Sequence, residues 1–335
     1  MTRLLASQFR RLLAPQTSCS GFSVALVLSC LIAFGLGACE QGRFTSGIPE
    51  SGTPGIDVIG ENGLVNLGSG NLRLVIDSLQ GGRIIEFSRN GRNILHDSGE
   101  MVGSTFWTSP QQDWFWPPPA AIDSGPYAVE IYSDKIRLIS EFEPDLGIRV
   151  EKTLRPVSQP QGFEIVYSIR NLSAKTVRFA PWEVTRLPRG LVFYPSSGYS
   201  VRQDFETIRR RGVTWFRFPP GRFENSVAVE GKVMEDGLEG WVAVADAETG
   251  LLFVKSFPDI DKKQFAPVEA EIELYSSPDG EYMEVEQQGA FQAIAPMTAV
   301  DWQVNWYLEA PGPQIDLNSY SDKLVDWVRA LLESG

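Results

Sequence analysis

Residues 163–186 read FEIVYSIRNLSAKTVRFAPWEVTR, and their patterning decides the fold class. Phe163, Ile165, Tyr167 and Ile169 alternate with Glu164, Val166, Ser168 and Arg170, the period of two that a half-buried strand requires. Asn171-Leu172-Ser173 supplies turn residues, and a second strand runs on into Ala180-Pro181-Trp182-Glu183. The stretch predicts a β-hairpin. Its return strand ends in an indole, a carboxylate and a guanidinium (Trp182, Glu183, Arg186), which predicts the edge of a site for a sugar-type ligand.

The same grammar extends outward in both directions. Leu72, Leu74 and Ile76 alternate with Arg73 and Val75, Gly81-Gly82 marks a turn, and Asn90-Gly91 is a strong hairpin signal. Further strands are predicted at 128–132, 135–142, 148–154, 227–233, 240–246, 251–257, 270–275, 282–287 and 299–308. Helical spacing emerges only at the C-terminus, where Leu324, Val325, Val328, Leu331 and Leu332 share a face. Many short strands and one helix predict an all-β protein: a large antiparallel β-sandwich spanning residues 57–312, with a helical segment at 313–335.

The beginning of the chain reads as an address. Residues 1–38 carry only Arg3, Arg10 and Arg11 as charges, followed by the apolar run FSVALVLSCLIAFGL. Leu36-Gly37-Ala38-Cys39 resembles the lipobox of bacterial lipoproteins. That resemblance implies cleavage before Cys39 and its acylation, each buried CH₂ contributing about 0.8 kcal/mol to membrane attachment. Residues 39–56, rich in Gly, Ser, Thr and Pro, are predicted to be a flexible tether. The expected location is the cell envelope. Glu40 does not resemble the Asp that retains some lipoproteins at the inner membrane, so the outer membrane is favoured where there is one. The other cysteines, Cys19 and Cys30, fall in the leader, so no disulfide is expected in the mature protein.

The net charge is −12, and removal of three leader arginines makes it more acidic still. This argues against nucleic acid as a partner, and the lack of a basic cluster argues against anionic headgroups. With one histidine, no cysteine after Cys39 and no calcium-loop spacing, neither a metal nor another cofactor is expected.

Several motifs together resemble the galactose-mutarotase-like superfamily. Residues 70–95, GNLRLVIDSLQGGRIIEFSRNGRNIL, resemble the opening strands of such domains. EVEQQGAF at 284–291 and DWQVNWYL at 301–308 resemble the closing strands, where the family carries a Leu-Glu-x-Gln pattern with its catalytic base. QQDWFWPPP at 111–119 resembles the Trp-Pro segment of an uncharacterised bacterial branch. The resemblance implies that Glu286 holds the base position and Gln288 the position that closes the pattern. It also exposes a departure: Trp182 stands where a catalytic histidine is expected, and the only histidine, His96, matches no catalytic position. Standard histidine–glutamate mutarotation is therefore not expected, and Glu183 is the candidate for a different acid.

Among other residues, Trp114 and Trp116 sit before three prolines, an arrangement suited to stacking on sugar faces, with packing at the sandwich edge as the competing reading. Asp113, Gln112 and Arg83 are candidates for contacts to hydroxyls. The basic island at 202–223 reads as a loop able to hold an acidic sugar, or as an exposed hairpin. The leading expectation is a membrane-anchored lipoprotein that binds a saccharide. The rivals are a carbohydrate-active enzyme using Glu286 with a non-histidine acid, and a structural envelope protein whose aromatic residues all lie in the core.

Overall fold

The computed structural model describes residues 55–59, 62–219 and 230–335. The leader, Cys39, most of the tether, and the distal part of the basic island together with the start of the 227–233 strand lie outside the described residues.

The fold is the expected all-β one, two antiparallel sheets packed face to face. The first sheet runs, in spatial order, Gly55–Ile59, Leu64–Ser69, Leu72–Asp77, Arg83–Arg89, Ser104–Ser109, Val177–Leu187, Met283–Gln288, Ile272–Ser276 and Gly231–Gly237. The second runs Ala128–Ile131, Ile136–Ile139, Ile148–Ser158, Gln161–Asn171, Ala299–Glu309, Leu251–Ser256 and Trp241–Asp246. The strand Gly190–Gln203 belongs to both. Leu191, Val192 and Phe193 pair with Trp241–Asp246, whereas Ser196 to Gln203 pair with Gly231–Gly237 across bulges that turn the strand from one sheet into the other.

The predicted hairpin is corrected. Both strands form, at Gln161–Asn171 and Val177–Leu187, but they do not pair with each other. The first is bonded along both edges, to Ile148–Ser158 and Ala299–Glu309, so no edge remains for its successor. The chain instead arches from the second sheet to the first. The buried Asn171 side chain fixes the arch by donating to the carbonyls of Lys175 (2.7 Å) and Ile294 (2.9 Å) and accepting from the Ser173 amide (2.9 Å). Its polar appetite is met locally, as burial demands.

Phe163, Ile165, Tyr167 and Ile169 point into the core, where Phe87, Phe253 and Trp306 meet with ring centroids 5.0–5.5 Å apart. The C-terminal helix, Asp322–Glu333, lays Leu324, Val325 and Val328 over the outer face of the second sheet, on Leu191, Phe193, Trp215, Trp241 and Val254. The helix therefore occupies one outside of the sandwich. The other outside, that of the first sheet, carries the polar and aromatic residues described next.

Candidate functional site

Register determines which side chains share the outer face of the first sheet. Trp182 lies opposite Trp107 on one neighbour and Gln288 on the other; Arg186 lies opposite Glu284, and Glu286 opposite Glu273. Because successive residues of a strand alternate faces, Trp182, Arg186, Glu284, Glu286 and Gln288 all project outward while Glu183, Val285 and Gln287 project into the core.

The outward set forms a connected floor. Trp182 Nε1 donates to Glu286 Oε2 at 2.8 Å. Lys232 Nζ stands 3.0 Å from that same oxygen and 2.5 Å from Glu273 Oε2, and lies 4.8 Å from the centre of the Trp182 ring. Gln288 Nε2 donates to Glu273 Oε1 at 2.8 Å. Arg186 Nε donates to Glu284 Oε1 at 2.8 Å, with its guanidinium 5.7 Å from the Trp107 ring. Among the described residues, Glu286 Oε1, Gln288 Oε1 and both terminal nitrogens of Arg186 are buried without a hydrogen-bond partner. Such groups are rare in a finished core and mark a polar patch with bonding capacity in reserve.

Electrostatics follow from crowding. Burial pushes the Glu286 carboxyl well above the usual range; Lys232 opposes this, while Glu273 and Glu284 add to it. Burial also pulls the Lys232 ammonium down, but the Glu273 and Glu286 carboxylates outweigh it and hold the lysine charged.

Above Trp182, Lys232 and Glu284 is a cleft of about 550 Å³, within the range that holds small ligands, while Arg186, Glu273, Glu286 and Gln288 are buried beneath them and do not line it. Its walls include Trp107, Trp116, Trp182, Tyr275 and Tyr282, with Lys232, Glu284, Arg202 and Glu230 as charged members. Trp107 is braced by its Nε1, which donates to Asp123 at 2.8 Å, and by edge-on contact with Trp182 at 5.2 Å. Trp116, 59% exposed, stands edge-on to Trp107 at 6.0 Å.

The predicted site residues are thus only partly brought together. Trp182 and Trp116 line the cleft, whereas Glu286, Arg186 and Gln288 share the outer face with Trp182 but are buried beneath it. Trp114 lies behind the wall: it packs on Trp107 and Trp182 and its Nε1 donates to the Thr108 carbonyl at 2.7 Å. Asp113 is exposed in the Gln111–Asp113 turn and outside the cleft wall; partial burial raises its carboxyl. Arg83 is a correction, since its guanidinium is buried against Asp123 at 3.2 Å and does not face a ligand.

Glu183 is the larger correction. It is fully buried on the opposite side of the sheet from Glu286. Tyr167 donates to it at 2.6 Å, Trp306 at 3.1 Å, and Lys255 Nζ lies 3.0 Å away. Its role is to complete a core ion pair. Among the described residues, arginines of the basic island are likewise engaged. Arg210 donates to the Tyr320 carbonyl at 3.1 Å and Arg211 pairs with Asp322, tying the hairpin of Ile208–Arg210 and Val213–Phe218 to the C-terminal segment. His96 is buried behind Tyr282, ring centroids 5.3 Å apart.

Lys232, Glu273, Tyr275 and Tyr282 were not anticipated. A signal existed. Glu269, Glu271 and Glu273, then Glu284 and Glu286, repeat at every second position of strands otherwise apolar, which is how a polar sheet face is written. A lysine in the neighbouring strand is the complementary charge.

The large two-sheet antiparallel sandwich has the galactose mutarotase-like fold. A galactose mutarotase-like protein from Lactobacillus casei superposes with a TM-score of 0.54 at 9% identity, covering 74% of this chain and 100% of that one. A galactose mutarotase-like protein from Clostridium acetobutylicum gives 0.53 at 14% identity (78% and 100% covered), and a galactose mutarotase related enzyme from Lactobacillus acidophilus 0.53 at 8% (76% and 100%). No family model matches the sequence, and no curated protein matches it.

Proposed function

We propose that the chain binds a saccharide in the cleft above Trp107, Trp182, Lys232 and Glu284. The observation that carries this is the composition of one wall: three indoles and two phenols interleaved with charged donors and acceptors. A pyranose presents apolar C–H faces and a rim of hydroxyls, which suits rigid aromatic planes beside fixed polar groups. The fold shared with galactose mutarotase-like proteins supports the class of ligand, while fold alone assigns no sugar. The testing experiment is a glycan array probed with the full chain in detergent. The expected result is binding to a defined saccharide set, weakened about tenfold or more by Trp182→Ala; an array without binding, or a variant with unchanged binding, rules the reading out.

A narrower second reading, sugar chemistry, is favoured by Glu286 Oε1, an unpartnered carboxylate oxygen whose partner atom Oε2 lies beside a charged lysine. In that reading Glu286, in the base position that the family-like motif implies, acts with an acid other than histidine. Turnover of a bound sugar that vanishes in Glu286→Gln while binding persists selects it; binding without turnover in the parent chain removes it.

The leader and Leu36-Gly37-Ala38-Cys39 support attachment of this domain to the envelope through a lipidated Cys39. Expressed in a bacterium, the parent chain is expected in the membrane fraction with acyl mass on Cys39, and Cys39→Ser in the soluble fraction or retained with its leader. A parent chain without acyl mass on Cys39, or a Cys39→Ser chain that is cleaved and still fractionates with the membrane, rejects the anchor.

A further inference from the structure

We propose that the groove beyond Trp116 is a second saccharide subsite, so that the chain takes an extended, neutral glycan rather than a single sugar; this rests on the reading of the first cleft given above. The first cleft does not end at Trp116. A more open groove of about 590 Å³ shares Gln111, Trp116, Arg202 and Lys232 with it. Each space is by itself of the size that accommodates a small ligand. One sugar ring in either leaves the other unfilled, whereas a chain passing over Trp116 uses both.

The lining of the second groove shows what it is built to touch. Phe115 is 73% exposed and Val268 is 70% exposed, so both hold large apolar surfaces in water. Both also sit in the left-handed backbone region, Phe115 at φ +54° and Val268 at φ +63°. For an aromatic and a β-branched residue that conformation is strained, and glycine would adopt it freely. Stability therefore selects against each side chain twice, by exposure and by strain. Strained residues concentrate where a ligand is gripped, and these two line one groove continuous with the candidate site.

The polar groups fix the chemical class. Glu269 and Gln112 bring an acceptor and an amide to the groove, suitable for hydroxyls or an acetamido group. The cations are already engaged: Arg202 Nη2 is 2.6 Å from Asp204, and Lys232 is held by Glu273 and Glu286. A carboxylated sugar in this groove would meet Glu269, while both cations among the described lining residues already hold carboxylates. The unit expected is a neutral hexose or N-acetylhexosamine, which replaces the acidic sugar that the basic island alone suggested.

The test titrates the full chain by calorimetry with malto-, cello- and chito-oligosaccharides of one to about five units, a span set by the two grooves. In the series that binds, affinity is expected to rise about tenfold or more between one unit and three. The double variant Phe115→Gly/Val268→Gly is expected to reduce that rise to about threefold or less, leave monosaccharide affinity unchanged, and raise the melting temperature through relief of strain. Monosaccharide binding with no effect of chain length overturns the second subsite and leaves the first cleft standing. Failure of every series to bind overturns both. A variant that retains the rise, or that melts lower and weakens all lengths alike, marks Phe115 and Val268 as structural and overturns the proposal.

Discussion

At the scale of single residues, Trp182 and Glu183 divide the molecule between them. They are chain neighbours, yet one forms cleft floor and the other forms core, because a strand sends consecutive side chains to opposite faces. Glu183 and Lys255 are a buried ion pair, and the network around it is complete: Lys255 Nζ also donates to Thr185 Oγ1 (2.6 Å), the Val285 carbonyl (3.1 Å) and Gln287 Oε1 (2.9 Å). Burial lowers the Lys255 ammonium, and Glu183 is what opposes that shift. Removing one member leaves the other charged and unpaired in the core, which typically costs about 3–5 kcal/mol, whereas replacing both with apolar groups of similar size is often tolerated. Glu183→Ala is therefore expected to lower the urea midpoint sharply at neutral pH. Glu183→Leu/Lys255→Met is expected to recover at least half of the loss, with saccharide affinity per folded molecule unchanged. A Glu183→Ala protein of parental stability that no longer binds sugar would contradict this assignment and return Glu183 to the site.

At the scale of elements, legibility followed burial. Gln161–Asn171 has one face in the core and one in water, so its alternation is plain in the sequence. Val177–Leu187 is buried on both faces from Ala180 onward, by the core beneath and the indole-and-carboxylate floor above, so its pattern carries no period from which to infer a facing. That is why Trp182, Glu183 and Arg186 read as one cluster. The arch defeated the reading for a different reason. Asn171-Leu172-Ser173 is turn chemistry in both a hairpin and an arch, and what separates them is whether the first strand has a free edge. That depends on Ala299–Glu309, more than a hundred residues later in the chain. The short-range signals were sound where geometry is local. Asn90 and Gly91 adopt φ +51° and +75°, as a two-residue hairpin turn requires, and the C-terminal helix buries three of the residues its spacing named. The family-like motifs named Glu286 and Gln288, which register places on the same face as Trp182. They carried no information about Lys232, whose strand contributes through pairing with Ile272–Ser276.

At the scale of the whole molecule, the sandwich separates what stabilises it from what it presents. The outer face of the second sheet is an apolar surface sealed by the helix Asp322–Glu333, while the outer face of the first sheet is the aromatic and charged cleft. Between them lies the aromatic core that fixes both. The two outer faces share few residues, so perturbing one should leave the local geometry of the other in place. Deleting residues 313–335 uncovers Leu191, Phe193, Trp215, Trp241 and Val254, a patch that a soluble monomer does not keep exposed. The truncated chain is expected to bind a hydrophobic dye, to self-associate in light scattering, and to lose on the order of 2–5 kcal/mol or more of stability, comparable to removing at least one large core side chain. Leu324→Ala/Val328→Ala should move in the same direction to a smaller extent while remaining folded. In that milder variant, saccharide affinity measured by calorimetry well below the melting temperature is expected to match the parent chain. If weakening the helix contacts changed affinity in proportion to stability, the two faces would be energetically one unit, and the cleft would depend on the packing of the far side of the sandwich rather than on its own floor of Trp182, Glu286, Lys232 and Glu273.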